Sequence, residues 1–253
     1  MCFDHDARPP INPITGASFS SESLILTAED GTDFMAYAAR AGVPGSPAIV
    51  VMPDVRGLYP FYEELADRFA EVGFDSIAID YFGRTAGTEP RDGEFDFWPH
   101  VERTTHAGLK QDVAAAVALL REGEGNATRP LFTIGFCFGG SSSWLQAAAG
   151  HGLSGVVGFY GRPTSARGDI PAPADLAEHF ECPVLGLFGG ADASIPPEDI
   201  EAFDRALSGA GIEHELHIYP GAPHSFFDRK AEEFADVSTD AWTRCLAFIA
   251  ANS

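Results

Sequence analysis

The run Leu131-Phe-Thr-Ile-Gly-Phe-Cys137-Phe-Gly-Gly140 is an apolar, β-type segment that ends in the pattern Gly-x-Cys-x-Gly. This pattern is typical of a nucleophile elbow, a sharp turn from a strand into a helix, with cysteine at the position usually held by serine. Glycines flank the central residue because a Cβ there would clash in so tight a turn. The thiol of Cys137 would lie at the N-terminus of the next helix, where the helix dipole favours a thiolate. The alternative is a cysteine buried in the core beside a glycine-rich turn.

Strand and helix signals alternate on both sides of this turn, which predicts an α/β fold with a mostly parallel central sheet and helices on both faces. A chain of 253 residues without repeats or a linker predicts a single domain over residues 1–253, with residues 1–20 as an extended N-terminal arm. Strands are expected at residues 23–28, 33–39, 48–52, 76–79, 131–135, 155–160, 184–188 and 213–219, and helices at 62–72, 108–121, 141–149, 197–208 and 237–250.

Composition excludes several classes of function. The net charge of -21 disfavours nucleic acids and anionic membranes as partners. The four cysteines are scattered and have no ligand-like histidine spacing, so neither a disulfide framework nor a metal site is expected. Cys2, Asp4 and His5 are interpreted as part of a mobile polar tail rather than as metal ligands. With no signal peptide and no apolar run of membrane-spanning length, we expect a cytoplasmic protein.

Polar residues that could act with Cys137 follow the later strands. In an open α/β sheet, functional groups gather at the carboxyl ends of the strands. Asp192 lies in Phe-Gly-Gly-Ala-Asp and His224 in Pro-His-Ser-Phe, each just after a predicted strand. In isolation, Asp192 could be an ordinary turn residue and His224 a surface histidine. The order nucleophile, acid, histidine is nevertheless the order that α/β hydrolases require, and it predicts a Cys-His-Asp triad.

These motifs together resemble the dienelactone hydrolase family, the cysteine-dependent branch of the α/β hydrolases. The similar segments, spread over residues 48–249, are Pro-Asp-Val-Arg-Gly, Asp-Tyr-Phe-Gly-Arg, Gly-Phe-Cys-Phe-Gly-Gly, Phe-Tyr-Gly, Phe-Gly-Gly-Ala-Asp and Pro-His-Ser-Phe. The resemblance implies hydrolysis of an enol-lactone or related small ester, one that carries a carboxylate, through a covalent acyl-enzyme and without a cofactor. A monomer or small homo-oligomer is expected.

The resemblance also assigns roles to individual residues. It implies Cys137 as the nucleophile, His224 as the base and Asp192 as the acid that orients it. The backbone N–H groups of Phe138 and Val55 would form the oxyanion hole.

Further contacts follow from the same resemblance. Asp54 occupies the place of a family glutamate that holds the resting thiol, although it is one methylene shorter. Arg84 matches an arginine that grips the substrate carboxylate, and its alternative is a solvated surface guanidinium. Arg229 lies one residue beyond the place of a second such arginine, because Asp228 intervenes. Tyr160 is assigned to the substrate-binding residues.

The long loop of residues 85–101 contributes aromatic side chains. A loop over the carboxyl edge of a sheet can form a wall of the pocket, so Trp98 is predicted to contact substrate, beside Phe95 and Phe97. The alternative is that these aromatics only pack the loop against the domain.

Two rivals remain open from the sequence. The same triad could serve a broader carboxylesterase or thioesterase. A catalytically silent α/β-hydrolase domain that binds a ligand or a protein is the rival from another class, and the intact elbow and triad disfavour it.

Overall fold

A computed structural model of the chain describes residues 6–89, 91 and 95–253. Its eight strands form one sheet in the order β1-β2-β4-β3-β5-β6-β7-β8, in which β1 and β2 are antiparallel to their neighbours and the others run parallel. The predicted α/β-hydrolase fold is confirmed. The strands are β1 Ser20–Thr27, β2 Asp33–Arg40, β3 Ala48–Met52, β4 Asp75–Ile79, β5 Leu131–Phe136, β6 Gly155–Phe159, β7 Val184–Gly189 and β8 His214–Tyr219.

Alternate residues of the central strands enter two apolar cores on opposite faces of the sheet. In β3, Ile49 and Val51 belong to one core, whereas Val50 and Met52 belong to the other. Successive side chains of a strand point to opposite faces, so a strand covered on both sides must be apolar throughout. The helices are α1 Pro60–Glu71, α2 Gly83–Ala86, α3 Trp98–Arg103, α4 His106–Leu120, α5 Phe138–Leu145, α6 Pro197–Ala210 and α7 Ala235–Ala251, with 3-10 helices at Gln146–Ala148 and Pro173–His179.

The long loop predicted after β4 contains two short helices, α2 and α3. α3 begins at Trp98 and has Pro99 in its first turn, where the missing N–H of proline costs no helical hydrogen bond. The sequence around these short helices is polar and rich in glycine, so it shows no helical periodicity of apolar residues from which they could be predicted. Residues 90 and 92–94 of this loop lie outside the described residues.

The helix after the elbow begins three residues earlier than predicted, at Phe138, and ends at Leu145 before the 3-10 turn. Its glycines, Gly139 and Gly140, were assigned to the turn but are helical. They are needed there because the first turn of α5 passes close to backbone: a Cβ on Gly140 would lie 2.6 Å from the carbonyl oxygen of Phe159.

The described part of the N-terminal arm, residues 6–19, contains no helix or strand. It is held by the contacts of Ile11 and Phe19 with a core and by the Ile14 N–H, which donates to Glu71 Oε2 at 3.0 Å. Residues 1–5 of the predicted arm, with Cys2, Asp4 and His5, lie outside the described residues. Within the described residues, no helix combines the length and the apolar character needed to cross a membrane.

Candidate active site

Cys137 lies between β5 and α5 in a strained turn. Its φ is 55°, in the left-handed region that favours glycine, and its N–H donates to the carbonyl of Phe159 at 3.0 Å. A Cβ on Gly135 would overlap the carbonyl of Gly139, and a Cβ on Gly139 would overlap the carbonyl of Met52. The backbone that presents Cys137 therefore cannot form with side chains at these two positions, which explains the Gly-x-Cys-x-Gly spacing.

Among the described cysteines, Cys137 is the most accessible. Cys182 and Cys245 are buried, and burial raises the pKa of the Cys182 thiol to about 12. Burial raises the pKa of Cys245 as well. Because the thiolate is the nucleophilic form, these two thiols are chemically inert by comparison. Their environments distinguish structural cysteines from the one at the elbow.

His224 and Asp192 are joined by a short hydrogen bond. The Nδ1 of His224 lies 2.5 Å from Asp192 Oδ2, and Asp192 Oδ1 accepts from the N–H and hydroxyl of Ser194 at 2.9 and 2.7 Å. Burial alone would raise the pKa of Asp192, but these hydrogen bonds and the His224 charge outweigh it and lower that pKa. The carboxylate therefore stays ionised and can orient the imidazole, which leaves Nε2 to exchange protons.

Tyr160 supports His224 rather than facing the cavity. Its buried ring lies 4.9 Å, centroid to centroid, from the imidazole. The prediction that Tyr160 binds substrate is not supported by this placement, because the ring is buried beside the histidine and does not line the cavity. Among the described residues, three that are not glycine have positive φ: Cys137, Tyr160 and Ser225. All three lie in or beside the same site.

The N–H groups of Val55 and Phe138 are available at the elbow. Within the described part of the chain, neither donates a hydrogen bond to another protein group. Phe138 begins α5, so its N–H has no partner inside the helix. Both residues line the cavity that contains Cys137, so the two donors predicted for an oxyanion hole lie at one place.

Asp54 is held by Arg56 in a buried network that joins two loops. Arg56 donates from Nε and Nη2 to Asp54, with Nη2 to Oδ2 at 2.6 Å, and from Nη2 to Asp228 at 2.6 Å. Burial raises the pKa of Asp54, and Arg56 offsets part of that rise. Asp54 was predicted to hold the thiol. In this structure its carboxylate is instead engaged bidentately by Arg56, and Asp228 on the His224 loop completes the network.

Arg84 does not reach the cavity, which contradicts its predicted contact with a substrate carboxylate. Its guanidinium donates to Asp112 at 2.8 Å from Nη2 and forms a further salt bridge with Asp30. Asp112 is completely buried on α4. The position of Arg84 at a strand end predicted that its side chain would reach the cavity. The carboxylates on α4 and on the β1–β2 turn instead determine where the side chain points.

One cavity of about 690 Å³ lies over the carboxyl edge of the sheet. Trp98 and Arg229, both predicted to contact substrate, line it, and Trp98 has 52% of its surface exposed. Arg162 and Arg167 also line the cavity and were missed, as were Arg56 and Asp228 in the network below. The only sequence signal for Arg162 is its place two residues after Tyr160 at a strand end. The cavity lining also includes Phe97, Cys137, Phe138, Ser141, Asp192 and His224.

A family model described as the dienelactone hydrolase family matches residues 34–253. A protein of Salmonella typhimurium named "Putative carboxymethylenebutenolidase" is 30% identical over 240 residues, which cover 91% of this chain and 87% of that protein. A protein of Methylorubrum extorquens with the same name is 32% identical over 218 residues, covering 83% of this chain and 74% of that one. A Bradyrhizobium protein named "Probable 2-oxo-3-(5-oxofuran-2-ylidene)propanoate lactonase" is 28% identical over 225 residues, which cover 87% of this chain and 90% of that protein.

A crystal structure from Klebsiella pneumoniae, named as a "Putative Dienelactone Hydrolase", superposes with a TM-score of 0.81 at 29% identity. The match covers 92% of this chain and 99% of that one. A more distant structure, a dienelactone hydrolase-like phosphotriesterase from a metagenomic library, has a TM-score of 0.75 at 20% identity over 93% of this chain and 99% of that one, and shares the fold.

Proposed function

Because the chain belongs to the dienelactone hydrolase family, hydrolases of esters and lactones, we propose that Cys137, His224 and Asp192 are its catalytic triad. The observation that carries the proposal is the 2.5 Å hydrogen bond from His224 Nδ1 to Asp192 beside an elbow cysteine on the same cavity. The proposed substrate is an enol-lactone or related ester that carries a carboxylate.

In the acylation step, His224 Nε2 takes the thiol proton and the thiolate of Cys137 attacks the carbonyl carbon. The carbonyl π electrons move to oxygen, and the N–H groups of Val55 and Phe138 donate to that oxyanion. When the tetrahedral intermediate collapses, the carbon–oxygen bond of the ester breaks. His224 returns its proton to the leaving oxygen, which in a lactone stays attached to the acyl group as an opened chain.

In the deacylation step, water attacks the thioester while His224 accepts one of its protons. The second tetrahedral intermediate collapses to a carboxylic acid, and the carbon–sulfur bond breaks to release the thiolate. The imidazolium proton then returns to sulfur or remains in an ion pair with it. Asp192 stays ionised throughout and stabilises the charged imidazole. One water is consumed for each ester bond.

The Asp54–Arg56–Asp228 network supports this site in a way that differs from the thiol-gating role expected for Asp54. It links the Val55 loop after β3 to the loop that carries His224. We infer that it fixes the oxyanion donor of Val55 relative to His224. Asp54 would then be a positioning residue.

Replacement of Cys137 tests the triad. Cys137→Ala should lower kcat for a 4-nitrophenyl ester by several orders of magnitude with an unchanged circular dichroism spectrum, because the side chain is only partly buried at the edge of the core. Cys182→Ala is the matched control and should keep its activity. Iodoacetamide should label Cys137 in the native protein, more slowly in His224→Ala. Retained turnover in folded Cys137→Ala would overturn the proposal.

A broader carboxylesterase is the second candidate, and the salt bridges of Arg84 favour it. They remove one predicted carboxylate ligand from the cavity. Comparison of kcat/KM for a carboxylate-bearing lactone and a neutral 4-nitrophenyl ester separates the two candidates. A preference for the neutral ester would support the general esterase.

A further inference from the structure

Three arginines line the cavity over Cys137: Arg162, Arg167 and Arg229. They come from two different connections of the sheet. Arg229 follows His224 on the loop after β8, whereas Arg162 and Arg167 belong to the segment between β6 and the second 3-10 helix. A substrate in this cavity would therefore meet positive charge from two directions.

None of these three guanidinium groups has a carboxylate within 4.0 Å among the described residues. Of the 16 lysines and arginines, all of which the structure describes, ten form salt bridges with described residues, and the others without one are Arg103, Lys110 and Arg121. Half of the six cations without a carboxylate partner therefore line this cavity. Elsewhere, Arg129 pairs with Asp75 at 2.8 Å and Arg244 with Glu215 at 2.6 Å. Among the described residues, Asp192 is the one acidic residue on the cavity lining, and its oxygens already accept from His224 and Ser194.

Arg229 is half-buried, and its Nε is a buried donor with no hydrogen-bond partner within the described residues. A guanidinium does not lose its proton at accessible pH, so burial cannot neutralise it. A buried donor without an acceptor is costly. An anion in the cavity would supply the acceptor that the protein does not.

Arg162 and Arg167 are exposed but lie on a segment with defined geometry. The N–H of Arg162 donates to Ser141 Oγ at 2.7 Å, which ties it to the first turns of α5. Arg167 exchanges backbone hydrogen bonds with Ile170 at 2.8 and 2.9 Å, and its Cζ lies 6.0 Å from the Trp98 ring centroid. Both guanidiniums are thus presented at the cavity by anchored backbone.

We propose that Arg162 and Arg167 form a second anion-binding element, so that the natural substrate is an ester or lactone with two carboxylates. The inference deepens the proposed function, on which it rests, by naming the substrate class of that site. A guanidinium matches a carboxylate with two parallel hydrogen bonds. Arg229 binds the carboxylate beside His224, and the pair Arg162 and Arg167 binds the other. Such local charge also counters the long-range repulsion of anions by a chain of net charge -21.

Three esters with one leaving group test this assignment. They are 4-nitrophenyl acetate, the mono-4-nitrophenyl ester of succinate and that of tricarballylate, which carry no, one and two free carboxylates. The wild type should show the highest kcat/KM on the tricarballylate ester. Arg162→Ala/Arg167→Ala should lower kcat/KM for the tricarballylate ester at least tenfold. It should leave kcat/KM for the acetate and succinate esters within twofold of the wild type. Arg229→Ala should lower kcat/KM for both anionic esters, those of succinate and of tricarballylate.

The matched control is Arg40→Ala/Arg205→Ala, which removes two positive charges from exposed salt bridges away from the cavity. It should leave the preference for the tricarballylate ester intact. If the control lowers this preference as much as the cavity variant does, long-range charge rather than contact explains it and the assignment is overturned.

Calorimetric binding of free tricarballylate keeps the test independent of turnover. The wild type should bind tricarballylate at least tenfold more tightly than the double cavity variant does. Equal affinity, or no binding, would overturn the second anion site even if all three esters are hydrolysed. Binding without hydrolysis of any ester would overturn the proposed function and leave the anion site supported.

Discussion

Two groups of arginines lie near the carboxyl edge of the same sheet and differ in their partners. Arg56 and Arg84, the paired group, follow β3 and β4 and are held by carboxylates at 2.6 to 2.8 Å. Arg162, Arg167 and Arg229, the cavity group, follow β6 and β8 and have no such partner among the described residues. The difference teaches that a strand-end arginine is a ligand candidate only when the protein leaves its charge uncompensated.

The largest effect that this comparison predicts is on stability, in the paired group. Arg56→Met should lower the free energy of unfolding by about 3–5 kcal/mol, because it leaves the buried carboxylates of Asp54 and Asp228 without their cation. Urea denaturation at pH 7 measures the loss. The same substitution at Arg229 is the control. A loss below about 1 kcal/mol for Arg56→Met would show that the buried network is not a structural element.

A smaller and pH-dependent effect is expected at Arg84. Burial raises the pKa of Asp112 to about 6 despite the Arg84 charge, so the folded state holds this proton more tightly than the unfolded state. The contribution of Asp112 to stability is therefore full below pH 4 and is lost as pH rises through 6. Arg84→Ala removes the cation that limits this loss.

Arg84→Ala should accordingly cost about 1–3 kcal/mol of unfolding free energy at pH 7.5, where Asp112 is ionised, and much less at pH 4.5. Denaturation at the two pH values checks the difference. The ratio of kcat/KM for anionic and neutral esters should not change. If Arg84→Ala lowered kcat/KM only for the anionic ester, the result would support the contact with a substrate carboxylate that the sequence predicted for Arg84.

The smallest effect on stability belongs to the cavity group. Arg229→Met should leave the unfolding free energy unchanged or raise it, because among the described residues no protein carboxylate loses a partner and a buried donor without an acceptor is removed. It should nevertheless lower kcat/KM for the succinate ester while leaving the acetate ester within twofold. A destabilisation as large as that of Arg56→Met would erase the distinction between the two groups.

The sequence predicted the strands and placed Cys137, Asp192 and His224 after strands because both inferences depend on local signals. Apolar runs mark buried strands, and the glycines around Cys137 mark one particular backbone turn. The role of Arg84 could not be predicted because Asp30 and Asp112 lie 54 and 28 residues away along the chain. For Tyr160, the strand-end position was correct, but the sequence did not show that the ring would lie behind His224.

The positive φ angles at Cys137, Tyr160 and Ser225 have a consequence for the evolution of heat resistance. Each non-glycine residue in such a conformation costs on the order of 1–3 kcal/mol, and glycine would relieve that cost. At Tyr160 the cavity left by the buried ring would outweigh this relief, so variants selected only for survival at high temperature should accumulate glycine at Cys137 and Ser225, and those with Cys137→Gly should lose turnover. Selection for both properties should instead find its gains far from the carboxyl edge, in the outer helices and turns.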